Sequence, residues 1–196
     1  MLEKYKNEKG FALGSYILEF MQSIVLALAV FIFLYMFVAQ PNEVKGSSMY
    51  PNFENGDFLL TDKLSYFFGE PQRGDVVVFK APPSEPCAED QCDYIKRIIG
   101  LPGDKVMVRD SKVYLNGKIL DQYFIPDNTI TEGGTFNQEN IEKTVPEGYY
   151  LCWGDNRQHS RDGREFGPVK KDAIVGKAFF KYWPPESIGL VPSVKF

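Results

Sequence analysis

The sequence predicts a mainly β domain preceded by one N-terminal transmembrane helix, and three observations point that way. The chain carries no charge from Ile24 to Ala39. Beyond that run, apolar residues fall in short segments that alternate or end at Gly and Pro turns. No segment has the strand, helix, strand rhythm of a parallel sheet, and no repeat period is visible.

The apolar run is the first element. Ile17 to Ser23 extends it with only Glu19, Gln22 and Ser23 as polar interruptions, giving a stretch long enough for a hydrocarbon core that needs about 20 residues. A cleaved leader would have a shorter apolar core and small residues around the cut. Here Phe37 stands two residues before Ala39, so an uncleaved anchor over 17–40 is expected, after a short cytoplasmic segment, 1–16. Lys4, Lys6 and Lys9 precede the span and Lys45 alone follows it closely, which places the N-terminus in the cytoplasm and residues 41–196 outside it.

The β elements follow in order. Val76–Phe79 comes after the turn Arg73-Gly74-Asp75, and Lys105–Arg109 alternates at period two. Val113–Leu115 and Ile119-Leu120 flank Asn116-Gly117, a pair that tolerates positive φ at both turn positions and so predicts a tight hairpin. Tyr149–Trp153 and Ala178–Trp183 complete the body. Two polar stretches, near 81–93 and 125–146, read as surface insertions without core chemistry.

Composition limits the chemistry. With 196 residues, 44% of them hydrophobic, the chain can bury one real core but hardly two enzymatic domains. A net charge of -4, with Lys and Arg scattered among the acids, offers no basic stripe for phosphates, so nucleic acid is not an expected partner. The single His159 excludes an H-E-x-x-H centre, and Cys87, Cys92 and Cys152 lack zinc-site spacing, so neither metal nor cofactor is expected. Cys87 and Cys92 close a short loop, either as free thiols or as a disulfide; Cys152 lies in an apolar run and reads as a core residue.

Three segments stand out. Gly46-Ser47-Ser48-Met49-Tyr50-Pro51 follows the anchor, Tyr94-Ile95-Lys96-Arg97-Ile98-Ile99-Gly100-Leu101-Pro102-Gly103-Asp104 sets a lysine among isoleucines, and Gly154–Arg164 is dense in donors and acceptors. Taken singly, these also describe a Gly/Ser turn, a lysine laying its stem on the core, and a well-bonded surface loop.

Together, and with Arg73-Gly74-Asp75-Val76-Val77-Val78-Phe79 between them, they make the chain resemble the type I signal peptidase family along nearly its whole length. The resemblance implies a β-rich catalytic domain, no cofactor, and a serine endopeptidase that removes signal peptides from exported preproteins after a small-x-small sequence. It assigns Ser48 as nucleophile, its backbone N–H to the oxyanion, Lys96 as general base, and Ser160 and Asp162 as catalytic support. Gly46 stands where some members carry a serine that helps hold the oxyanion, and Gly163 where many have a second serine.

The chemistry makes its own demand. A lysine accepts a serine proton only as the neutral amine, and at a reference pKa of about 10.4 roughly one in a few thousand is neutral at pH 7. Burial removes that deficit, so Lys96 is expected in an apolar pocket lined by its isoleucines, oriented by the Ser160 hydroxyl. Arg164 is expected to pair with Asp155 or Asp162, and His159 to be exposed rather than a base for Cys152. Leu64, Tyr66, Phe67 and Phe68 form either core or a patch against the lipid bilayer. The competing reading is an inactive, membrane-tethered β domain that only binds peptides.

Overall fold

The computed structural model describes residues 2–85, 92–192 and 194, with the backbone alone for 2–15. Cys87 falls outside them, and with it the question of a Cys87–Cys92 bond. The chain forms two compact units, residues 1–39 and 40–196. The first is the helix α1 (Leu2–Phe37), in which Tyr16–Phe37, 22 residues, is long and apolar enough to cross a membrane. Its described side chains are exposed, as a lipid-facing helix requires and a core helix does not.

The second unit is mainly β, as the alternation predicts. Among the described residues, one sheet runs in the order β1 (Ala39–Glu43), β2 (Phe58–Asp62), β11 (Ile174–Trp183), β3 (Val76–Lys80), β4 (Asp93–Gly100), β9 (Tyr149–Trp153) and β10 (Val169–Lys170), with β12 (Gly189–Leu190) also paired to β11. A smaller sheet has the order β7 (Lys118–Ile119), β6 (Lys112–Leu115), β5 (Lys105–Arg109) and β8 (Lys143–Thr144). β4 pairs antiparallel with both β3 and β9, and β11 antiparallel with both β2 and β3. The Asn116-Gly117 turn has φ of 51° and 80° and sets Leu115 opposite Lys118, the hairpin its sequence predicts. Two single helical turns, α2 (Ser65–Phe68) and α3 (Gly163–Phe166), complete the elements used below.

Three apolar clusters hold the domain together. One joins Val44, Met49, Phe53, Leu59, Val76 and Ala178; a second joins Val77, Phe79, Ile98, Tyr150, Cys152 and Val169. The third, with Ile99, Leu151 and Trp153 from the large sheet, packs against Val106, Val108 and Val113 of the small one. The polar stretch 125–146 is less superficial than its composition implies, since Ile125, Thr131, Asn137 and Val145 are buried.

One feature of β4 positions the site. β3 pairs along Asp93–Arg97, whereas β9 pairs only from Arg97 onward. The first half of β4 therefore has one unpaired margin. It borders a cleft of about 250 Å³ whose lining includes Asn42, Val44, Ser48, Leu59, Ile95 and Lys96.

Candidate active site

Ser48 lies in the turn after β1, above Met49, which is fully buried and fixes the segment in the first cluster. Lys96 comes from the half-paired part of β4. Its Nζ lies 2.8 Å from Ser48 Oγ and donates to the Ile95 carbonyl at 2.9 Å. The residue is 4% exposed, and the ammonium stands 5.1 Å from the centre of the Tyr94 ring. Burial pulls its pKa down to about 8, with the Asp162 charge the largest influence in the opposite direction.

The source of that dry surrounding differs from expectation. Alternation along β4 puts Tyr94, Lys96 and Ile98 on one face, and Tyr94 and Ile98 belong to the second cluster. Ile95 and Ile99 turn the other way, into the first and third clusters. Only one of the three isoleucines shares the lysine's face.

Ser160 also departs from expectation. Its hydroxyl is buried without a hydrogen-bond partner among the described residues, and the lysine is oriented by the Ile95 carbonyl instead. Ser160 is nonetheless close to the serine segment: a β-carbon on Gly154 would lie 2.1 Å from Ser160 Oγ and 2.5 Å from the Ser48 carbonyl oxygen. Gly154 is thus the spacer between the two serines, and no side chain fits there.

Asp162 is fully buried and accepts from the Gly154 N–H at 2.9 Å. Arg164 Nε and Nη2 each donate to it at 2.9 Å, so of the two partners expected for Arg164 the structure selects Asp162. Asp155 pairs instead with Arg97, through Nε to Oδ1 at 2.8 Å and Nη2 to Oδ2 at 2.7 Å, and also accepts from Asn52 Nδ2 at 2.8 Å. Asn156 fastens the Ser47-Ser48 segment, its N–H donating to the Ser48 carbonyl and its Nδ2 to the Ser47 carbonyl, both at 3.0 Å. Sequence reasoning gave Arg97, Asn52 and Asn156 no part in the site. Arg97 and Asn156 stand inside the segments that carry the resemblance, whereas the only signal for Asn52 was its adjacency to Pro51.

The Ser48 N–H has no acceptor among the described residues, which leaves it free for an oxyanion. Cys152 is fully buried and burial raises its thiol well above the usual range, while His159 is exposed, so the two form no dyad. Among the described residues no group of three or more His, Cys, Asp and Glu is placed to hold a metal ion. A partly buried serine in contact with a buried lysine, with a free backbone N–H beside them, can perform acyl transfer.

The chain is similar to several known proteins. Residues 17–183 match the family described as signal peptidase, peptidase S26. The probable signal peptidase I-2 of Synechocystis sp. is 37% identical over 174 residues, 89% of this chain and 77% of that protein. Signal peptidase IB of Staphylococcus aureus is 35% identical over 179 residues, 86% of this chain and 90% of that protein. Among solved structures, a signal peptidase I from Enterococcus faecalis is 33% identical, with a TM-score of 0.44, covering 56% of this chain and 97% of that one. On the extent of the family match and the identity to these relatives, the chain belongs to the signal peptidase family, peptidase S26.

Proposed function

We propose that this chain is a membrane-bound serine endopeptidase that removes signal peptides from exported preproteins, with Ser48 as nucleophile and Lys96 as general base. The observation that carries the reading is the 2.8 Å approach of Lys96 Nζ to Ser48 Oγ in a lysine that is 4% exposed. At a pKa of about 8, roughly one lysine in ten is neutral at pH 7, against one in a few thousand in water.

The steps follow from the groups present. The neutral amine takes the Ser48 proton as Oγ bonds to the scissile carbonyl carbon, and the Ser48 N–H receives the resulting oxyanion. The carbon–nitrogen bond breaks as the Lys96 ammonium returns its proton to the leaving amine. Water then attacks the acyl-enzyme, giving a proton to Lys96, and Ser48 is released with the proton restored. Ile95 keeps the amine aimed through the first half. Once Ser48 Oγ is acylated, the unpartnered Ser160 hydroxyl, one glycine away from the Ser48 segment, takes its place beside Lys96, and Asp162 supports both serines by pinning Gly154. An extended peptide fits the cleft, because the free margin of β4 supplies backbone partners along one side. Cleavage after a small-x-small sequence is part of this proposal.

The compartment belongs to the same reading: Tyr16–Phe37 crosses the cytoplasmic membrane once, the N-terminus stays in the cytoplasm, and the domain from residue 41 lies outside. Cleavage of a preprotein by wild type, Ser48→Ala and Lys96→Ala is the direct test. Equal cleavage by all three would reject the Ser48/Lys96 dyad, and no cleavage by any of them would leave only a tethered peptide-binding domain.

A further inference from the structure

The loop from Gly154 to Arg157 spaces the two serines and fastens the backbone of the nucleophile, so whatever fixes this loop fixes the site. The N–H of its first residue, Gly154, is held by Asp162. The carbonyl of the same residue is held by Arg157, whose Nε donates to it at 3.0 Å. Arg157 is buried, and among the described residues it has no carboxylate within ion-pair distance. Arg97 and Arg164 take Asp155 and Asp162, and leave this third guanidinium to neutral acceptors.

Two of those acceptors come from the long connection between β7 and β8. Gln122 Oε1 and Thr131 Oγ1 both accept from Arg157 Nη1, the latter at 3.1 Å. Thr131 is 1% exposed, so its hydroxyl is placed there by the fold rather than by chance at a surface. The guanidinium also lies over the Trp153 ring, 5.4 Å from its centre, which limits movement in the remaining direction. A buried cation with neutral partners cannot give up one of them at no cost; it turns toward another acceptor and carries Nε with it. The Gly154 carbonyl is what Nε would leave.

We propose that Gln122, seconded by Thr131, is a positioning residue for the acyl transfer, acting through Arg157 on Gly154 and so on the spacing of Ser48 and Ser160. The connection after β7 is then part of the catalytic support, although no group in it reaches the reacting atoms. This inference rests on the Ser48/Lys96 reading above.

The test uses the full-length chain in detergent micelles and an internally quenched peptide bearing an Ala-x-Ala junction. Gln122→Ala is expected to lower kcat about tenfold with KM changed by less than about twofold, and Gln122→Glu, which restores an acceptor to Arg157, to recover most of it. Thr131→Val should lower kcat in the same direction, and carries the test if Gln122→Ala does not fold by thermal unfolding. In an Arg157→Lys background, Gln122→Ala should have no further effect. Wild-type kcat in both single variants, or a loss that Gln122→Glu does not recover, overturns the inference. Cleavage that survives Ser48→Ala would overturn the dyad itself, whereas a dead Ser48→Ala beside unaffected Gln122 and Thr131 variants would remove this proposal alone.

Discussion

Arg97 and Asp155 meet through two hydrogen bonds, at 2.8 and 2.7 Å, with the side chains 3% and 0% exposed. Arg97 follows Lys96 in sequence, and Asp155 follows the glycine that spaces the serines. The pair therefore ties β4 to the loop beneath Ser48. Breaking it leaves one charge buried alone, so Asp155→Asn and Arg97→Met should each lower stability by about 3 to 5 kcal/mol. Thermal unfolding at neutral pH measures this; an unchanged midpoint in either variant would show that the pair is dispensable.

The depressed lysine sets the pH response. Cleavage needs the neutral amine, so kcat/KM at subsaturating peptide should climb with pH and level off above about 8. The stability linkage has the same sign. Between the folded and unfolded pKa values the unfolded chain binds the extra proton, so Lys96 costs stability below about 8 and the cost fades as pH rises toward the unfolded value. Lys96→Met should then be inactive yet more stable at pH 7, by up to about 3 kcal/mol. A less stable variant would contradict the burial cost.

Gly154 permits a sharper steric test. Gly154→Ala puts a methyl group into the space of Ser160 Oγ and the Ser48 carbonyl, so the serines must separate. A misplacement on the scale of 1 Å costs on the order of 100-fold in kcat. Steady-state cleavage of the quenched peptide checks it, and a variant within threefold of wild type would mean the site tolerates the shift.

The aromatic cluster before Arg73 divides in the structure. Tyr66 is tied to Asp75, its hydroxyl donating at 2.8 Å, whereas Phe67 and Phe68 on α2 are 80% and 82% exposed and meet edge to face. Only these two are free to enter a bilayer surface. Phe67→Ser with Phe68→Ser in a protein lacking residues 1–39 should weaken flotation with anionic liposomes several-fold without changing the melting temperature. Equal flotation would assign the rings no role at the lipid.

The strands were legible because alternation and the Asn116-Gly117 turn are local signals, and the N-terminal apolar helix because no charge falls between Ile24 and Ala39. The face of β4 was not, since three isoleucines near a lysine say nothing of register until β3 and β9 fix it. Arg97 and Asp155 are 58 positions apart, and Gln122 and Arg157 35 apart. No periodicity joins such partners; only the closed fold does. Ser160 shows the converse, in that it lies close to the Ser48 segment while the hydrogen bond expected between it and Lys96 goes instead from Lys96 to a main-chain carbonyl.

Under the function proposed above, the unpaired margin of β4 also sets an order of events in export. A groove that takes a single strand between its walls rejects any polypeptide already knotted into tertiary structure. The residues just after the junction must therefore still be uncoiled when they pass Ser48, so the scission has to precede, or outrun, the collapse of the passenger's own amino-terminal end.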